Sequence, residues 1–262
     1  MSNEPLLPFD PSKPNIARAY DHILGGKDNF AVDRELTEQI LRVFPLAGVL
    51  ARENRMFLAR AVDYVSRQGV LQFLDVGSGL PTSPNTHEVA WGVNSDARVV
   101  YVDNDPVVIV HARALLAASG KVSAVPGDVR RPNAILTSPD VTALIDLNEP
   151  ACVILTMILH FLEPAEAADI VAAFVRELAP GSFLVLSVGF SSAPSLADQV
   201  ISAYTAGGLH VHDREQIAGY FAGLDLVQPG LTEARRWRPE HPDLQAQDRP
   251  ADLLAGVGRK VA

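Results

Sequence analysis

Apolar residues recur along this chain in two rhythms, and the change from one to the other organises the reading. After an extended arm at 1–13 that carries Pro5, Pro8 and Pro11, the rhythm is helical. Ile16, Ala19, Tyr20, Ile23 and Leu24 share one face of a short helix that Gly25 and Gly26 stop. Leu36, Ile40, Leu41 and Phe44 share the face of a second helix, capped at Asp33 and ended by Pro45, and a third runs from about 49 to 67 before Gly69. From Val70 onward, near-continuous apolar runs at 70–76, 98–103, 121–126, 151–157 and 182–188 alternate with helical patterns near 86–93, 106–118, 132–138 and 164–178. Strands apolar on both faces and separated by helices signal a parallel sheet covered on both sides. Helices at 194–206 and 213–222 follow, the latter opening with Asp213 and Gln216 in capping-box spacing. Runs at 224–230 and 253–260 then close the sheet as a hairpin pair around a polar loop at 238–250. The predicted class is α/β, a doubly wound, Rossmann-like sheet (70–262) with an N-terminal arm and helical cap (1–69), together one globular unit.

Composition narrows the function. With 262 residues, 48% of them hydrophobic, the chain buries a substantial core and is too apolar for disorder. The formal charge of −9 argues against non-specific attraction to phosphate backbones, so no nucleic-acid partner is expected and a small molecule is the default ligand. The single cysteine, Cys152, excludes an internal disulfide and a multi-cysteine metal site, and no metal is expected. The first residues carry acids and prolines where a signal peptide has a basic end, and no apolar run approaches the roughly eighteen residues of a bilayer span. A cytoplasmic protein without a membrane partner is expected; a homodimer is left open.

Acids at strand ends carry the chemistry. In FLDVGSGLPTS a strand runs into Asp75, Gly77, Ser78 and Gly79, and the carboxyl ends of strands are where doubly wound sheets bind ligands. Asp103, at the tip of the next strand, is placed to accept hydrogen bonds from both hydroxyls of a ribose, whereas Asp105 before Pro106 suits a helix cap. After the third strand come Gly127, Asp128 and Val129, where an acid can accept from an adenine amino group, with a surface turn as the plain alternative. The fourth strand ends in Met157 to Phe161, which includes His160. A dinucleotide fold would set pyrophosphate on a helix directly after G-x-G-x-x-G, but Pro81 and Thr82 stand there. A phosphate-free ribosyl-adenine ligand with a sulfonium and an amino acid tail needs no such grip.

This arrangement resembles the class I S-adenosylmethionine-dependent methyltransferases. The blocks ARAYDHILGGKDNFAVDRE (17–35), FLDVGSGLPTSPNTHEVA (73–90), YVDNDPVVIVHARALL (101–116), LHFLEP (159–164), LAPGSFLVLS (178–187), LVQPGL (226–231), RWRP (236–239) and GVGRK (256–260) resemble an actinobacterial methyltransferase family formerly labelled a domain of unknown function. The resemblance implies a seven-stranded sheet with its last strand antiparallel, and S-adenosylmethionine as cofactor. It places the turn from Asp75 to Gly79 around the methionine part, Asp103 and Asn104 at the ribose, Gly127, Asp128 and Val129 near the adenine, and Met157 and His160 also on the cofactor. It assigns no methyl acceptor.

Methyl transfer depends chiefly on holding acceptor and methyl group together away from water, with a base only where the acceptor loses a proton. His160, with an ordinary pKa of about 6.5, is the first candidate base and His87 the reserve, against packed or helix-surface roles for each. Gly25 and Gly26 let the chain turn off the helix carrying Tyr20, so that Lys27, Asp28 and Asn29 form a cofactor lid, Lys27 facing the tail carboxylate. Lys27 stands out as one of four lysines among 22 basic residues. Trp237 amid Arg235, Arg236 and Arg238 suggests a wall for a planar or anionic acceptor. The rival functions are a non-catalytic cofactor-binding regulator and an NAD-type oxidoreductase.

Overall fold

The computed structural model describes residues 10–116, 120–189, 208–240 and 253–261. At its centre β1 (Gln72–Val76) and β4 (Cys152–Thr156) pair in parallel, flanked by β2 (Arg98–Asp103) and β3 (Val122–Pro126) on one side and β5 (Phe183–Gly189) on the other. The order β3-β2-β1-β4-β5 reverses direction of growth between β1 and β4, which opens a crevice at the carboxyl ends of those two strands. β8 (Leu253–Lys260) runs antiparallel beside β5, and β6 (Leu224–Leu226) and the two-residue β7 (Thr232–Glu233) pair with successive stretches of β8. The expected closing pair is thus present, with β8 inserted between β5 and β6. β8 alone runs against the rest, and β7 adds a short eighth strand to the seven expected.

Alternate residues of each strand feed two cores, which is why the strands read as continuous apolar runs. Leu74, Val100, Val153, Leu155 and Leu186 face α8 (Pro164–Glu177), whose Ile170, Val171 and Phe174 fill that side. Phe73, Val99, Ile154 and Val185 face α3 (Ala47–Arg67), with α4 (Thr86–Val93) and α5 (Pro106–Leu116) beside it. Burial of side chains such as Phe57, Val62 and Phe174 stabilises the fold by roughly 1.5–3 kcal/mol each. α3 therefore shares its core with the sheet, although it precedes the boundary drawn at 69.

Two details correct the expected elements. α2 (Ala31–Val43) begins before Asp33, which sits in its first turn and accepts the Phe30 N–H at 2.8 Å instead of occupying the capping position itself. The helix expected at 132–138 ends earlier, as α6 (Pro132–Leu136), and a separate one, α7 (Pro139–Thr142), follows beyond it, with Pro139 at its first position after Ser138. α9 (Arg214–Gly219) opens with the predicted Asp213–Gln216 box. The helix expected at 194–206 and most of the loop at 238–250 lie outside the described residues.

The cap is held by buried charge. Arg18 of α1 (Ile16–Ile23) lies 3.4 Å from Asp33 and 3.7 Å from Asp105, all three nearly fully buried. Asp105 also accepts the Val107 N–H at 2.7 Å, the helix-capping role expected of it. One guanidinium thereby ties α1 to α2 and to the loop just past β2.

Candidate functional site

A cavity of about 400 Å3, within the range typical of small-molecule sites, lies between the cap and the carboxyl ends of β1, β2 and β4. The strand tips supply its polar end: Asp75, Gly77, Ser78, Gly79, Asp103 and Asn104 all line it. The β1 turn is tight because Gly77, at φ 71°, approaches Ile158 so closely that a Cβ would sit 2.4 Å from its Cδ1. Backbone N–H groups of Gly77 and Ser78 bond Val102 O at 2.8 and 3.2 Å, fixing the turn to β2.

Asp103 is 7% exposed, and its two oxygens each accept one backbone N–H, from Gly79 at 2.9 Å and Asp105 at 2.9 Å. A carboxylate accepts about four hydrogen bonds, and with the Asn104 N–H also acting on it accepting capacity still remains, which suits the hydroxyls of a diol. Burial raises its pKa to about 6, against the pull of those N–H groups. Asp75 is buried as well; Thr86 Oγ1 donates to its Oδ2 at 2.6 Å, while burial raises its pKa against that bond and the nearby Arg55 charge. Two carboxylates at the strand tips suit hydroxyls and a cation and repel phosphate, which fits a sulfonium nucleoside better than a pyrophosphate.

The remaining expected residues divide. Tyr20, Val129, Met157 and His160 line the cavity. Gly127 and Asp128 are not among its lining; the Asp128 carboxylate accepts the Arg130 N–H at 3.0 Å, as in a turn. Met157 adopts φ 55°, unusual for a side-chain-bearing residue, and its N–H bonds both Ser187 O at 3.0 Å and Ser187 Oγ at 3.1 Å. His160 is buried, its Nδ1 accepts from Gly189 N–H at 3.4 Å, and burial together with neighbouring His212 lowers its pKa to about 3. A ring so hard to protonate is a poor base at neutral pH, which removes the ground for the first-choice role.

Three expected groups lie outside the cavity lining. His87 packs between Trp91 and Tyr101, its Nδ1 2.8 Å from the Tyr101 hydroxyl, and does not line the cavity. Trp237 is fully buried against Phe57 and Tyr64, with ring centroids 5.5 and 5.9 Å away, and Arg236 pairs with Glu233 at 3.3 Å. Neither reaches the cavity, because aromatic burial against α3 outweighs the arginines on either side. Gly26, Lys27, Asp28 and Asn29 also lie outside its lining. Asp21 gathers that turn: its Oδ2 accepts from Asp28 N at 3.0 Å and Asn29 Nδ2 at 2.9 Å, and a Cβ on Gly26 would collide with its carboxylate. Asp28 pairs with His111 at 3.4 Å, and Lys27 is exposed.

Residues that carried no motif complete the wall, among them Asn54, Arg55, Gly208 and His210. A polar residue buried on the apolar face of α3 was the available signal for Asn54. Among the described residues no group of acids, histidines and cysteine is arranged to hold a metal ion, and no helix is long and apolar enough to cross a membrane.

A parallel sheet reversed between β1 and β4, closed by one antiparallel strand and bearing carboxylates at its tips, defines the class I methyltransferase fold. A family model described as S-adenosyl methyltransferase matches residues 3–261, and the chain belongs to that family. It is similar to a candidate methyltransferase from Thermobifida fusca YX, at 42% identity over 96% of each chain with a TM-score of 0.88. It is also similar to a DUF574 family protein from Streptomyces avermitilis MA-4680, at 34% identity over 96% of this chain and 99% of the other, with a TM-score of 0.90. Magnesium protoporphyrin IX methyltransferase from Synechocystis PCC 6803, solved with bound SAH, shares the fold at 12% identity over 92% of this chain and 93% of the other, with a TM-score of 0.54. No curated protein matches the chain. The protein is a S-adenosylmethionine-dependent methyltransferase.

Proposed function

We propose that the cavity transfers a methyl group from S-adenosylmethionine to a small-molecule acceptor bound beside it. The observation that carries this reading is Asp103, whose buried carboxylate stands at the cavity wall, held by backbone N–H groups and with accepting capacity left. It accepts the two ribose hydroxyls, with Asn104 and Val129 alongside the nucleoside and the turn from Asp75 to Gly79 around the methionine part.

The cofactor supplies a methyl carbon activated by a positively charged sulfur. The chain's share is position and exclusion of water. Met157, pinned through Ser187, sets the floor of the crevice after β4, and the cap covers it. With its Nδ1 accepting from Gly189, neutral His160 carries its proton on Nε2 and offers a hydrogen-bond donor.

Titration calorimetry with S-adenosylhomocysteine tests this. Hydrogen bonds to a charged group contribute about 1.5–3 kcal/mol each, so folded Asp103→Ala loses at least about tenfold in affinity. Unchanged affinity would remove Asp103 from the cofactor site.

A further inference from the structure

Away from the strand tips the cavity changes character. Its cap side is built by Ile23, Ile40, Phe44 and Leu50, and Leu209 and Val211 face it from the other side. The lining residues of α1 and α2 carry no charge, and the two arginines of the lining are engaged: Arg55 of α3 by the Thr82 and Pro84 carbonyls, at 2.7 Å for the latter, and Arg130 by Glu166 at 3.2 Å and the Phe161 carbonyl at 3.1 Å. Such a wall rejects a charged acceptor, because a charge moved there leaves water without a partner.

Against this wall stands His210. Its Nδ1 lies 3.2 Å from Glu163 Oε1, and its backbone N–H bonds His160 O at 2.8 Å, which fixes it to the turn after β4. A carboxylate beside Nδ1 favours the tautomer with the proton there and leaves the Nε2 lone pair to accept another. Gly208 also lines the cavity, and a Cβ on it would sit 3.0 Å from Nε2, so glycine keeps that edge approachable. The other histidines near the cavity are differently disposed. His160 Nδ1 is occupied by Gly189, and buried His212 uses both nitrogens, on Leu162 O at 2.9 Å and the Tyr220 hydroxyl at 2.6 Å.

We propose that His210, oriented by Glu163, is the general base of the transfer, and that the acceptor is an uncharged, largely apolar molecule presenting a hydroxyl group beneath the cap. The proposal rests on the methyl-transfer reading of the same cavity. His210 Nε2 takes the hydroxyl proton as the oxygen's electron pair forms the bond to the methyl carbon. The methyl–sulfur bond breaks with its electron pair left on sulfur, which becomes neutral, and the imidazolium, steadied by Glu163, returns its proton to water.

The test uses the full chain with S-adenosylmethionine carrying a labelled methyl group, and 1-naphthol, 1-naphthoate and ring-nitrated, more acidic naphthols as probes. Wild type is expected to methylate 1-naphthol at least tenfold faster than 1-naphthoate. His210→Gln is expected to lower kcat on 1-naphthol by about 10²–10⁴, a loss that shrinks as the probe grows acidic enough to ionise in water. Affinity for S-adenosylhomocysteine stays unchanged in that variant, which also reports its folding; Glu163→Gln, at an exposed position, gives a smaller loss with the same trend. A wild type that binds S-adenosylhomocysteine but methylates no hydroxyl probe overturns the acceptor class, and so does a preference for naphthoate. A loss equal across the naphthol series, or none, overturns His210 as base. Failure of wild type to bind S-adenosylhomocysteine at all would instead overturn the cofactor reading, and this one with it.

Discussion

Ser187 on β5 and Asn54 on α3 are 133 residues apart in the chain, yet Ser187 Oγ donates to Asn54 Oδ1 at 2.6 Å. Asn54 Nδ2 in turn donates to the Tyr20 hydroxyl at 3.2 Å, and that hydroxyl donates to Ala51 O at 3.0 Å. On its other side Ser187 Oγ accepts the Met157 N–H. A single line of hydrogen bonds therefore runs from the first cap helix to the turn after β4, so a polar network joins the cap to the crevice floor, in addition to the Arg18 ion pairs.

That network gives a first expectation. Ser187→Ala leaves the buried Asn54 carbonyl without its donor and deprives Met157 of one of two acceptors, for a cost of about 1–3 kcal/mol. Urea denaturation should show the loss as an earlier midpoint with an unchanged slope. A midpoint equal to wild type would mean that the apolar face of the cap and the Arg18 ion pairs seat it without this network.

At the β1 turn, Gly77→Ala combines two penalties. A side chain in the left-handed region costs about 1–2 kcal/mol, and the added carbon, 2.4 Å from Ile158 Cδ1, adds about 1–3 kcal/mol of overpacking. Trimming the neighbour in Gly77→Ala/Ile158→Ala should recover the second part only. Thermal unfolding of the two single variants and the double variant measures this, and strictly additive losses would rule out the contact as the cause.

Trp237 and Arg236 are expected to part company. Trp237→Ala removes a fully buried ring from between Phe57 and Tyr64 and should cost about 3–5 kcal/mol, whereas Arg236→Ala at a half-exposed site should stay within about 0.5 kcal/mol. Both variants, where folded, should bind S-adenosylhomocysteine as wild type does. A folded Arg236→Ala that binds S-adenosylhomocysteine normally but loses turnover of an identified acceptor would restore this segment as the acceptor wall.

These cases mark what a single sequence discloses. β2, α4 and β8 fall on the expected 98–103, 86–93 and 253–260 because burial on both faces, or capping beside a strand, writes itself into consecutive residues. The strand-tip acids were legible for the same reason: the end of an apolar run fixes where they stand. RRWRP misled because composition shows charge but not what the ring meets; Arg60, 177 residues upstream, donates to Trp237 O at 2.8 Å and belongs to the helix that buries it. The GGKDN turn was visible as a turn, but its organiser, Asp21, lies within the preceding helix pattern and looks like any polar position. His210 carries no local motif, since its partner Glu163 comes from the start of α8.

The last expectation concerns pH and separates Asp103 from an ordinary surface acid. Burial raises its pKa to about 6, so near neutrality it is mostly ionised and below pH 6 mostly protonated. In the protein alone the sign is destabilising at high pH: the buried carboxyl contributes most below its unfolded pKa of about 3.9, and that contribution is lost as pH rises through 6. Cofactor binding runs the opposite way, because two ribose hydroxyls need accepting positions on both oxygens and a protonated carboxyl has turned one oxygen into a donor. Affinity for S-adenosylhomocysteine should therefore be level above pH 7 and fall as pH drops through 6, by about tenfold at pH 5, with proton release on binding in that window. Asp103→Asn, which cannot titrate, should bind more weakly at pH 7 and show no such slope. Calorimetry in two buffers of different ionisation enthalpy reads both affinity and proton release, and a wild-type affinity flat from pH 5 to 8 would show that the ionised Asp103 does not meet the ribose.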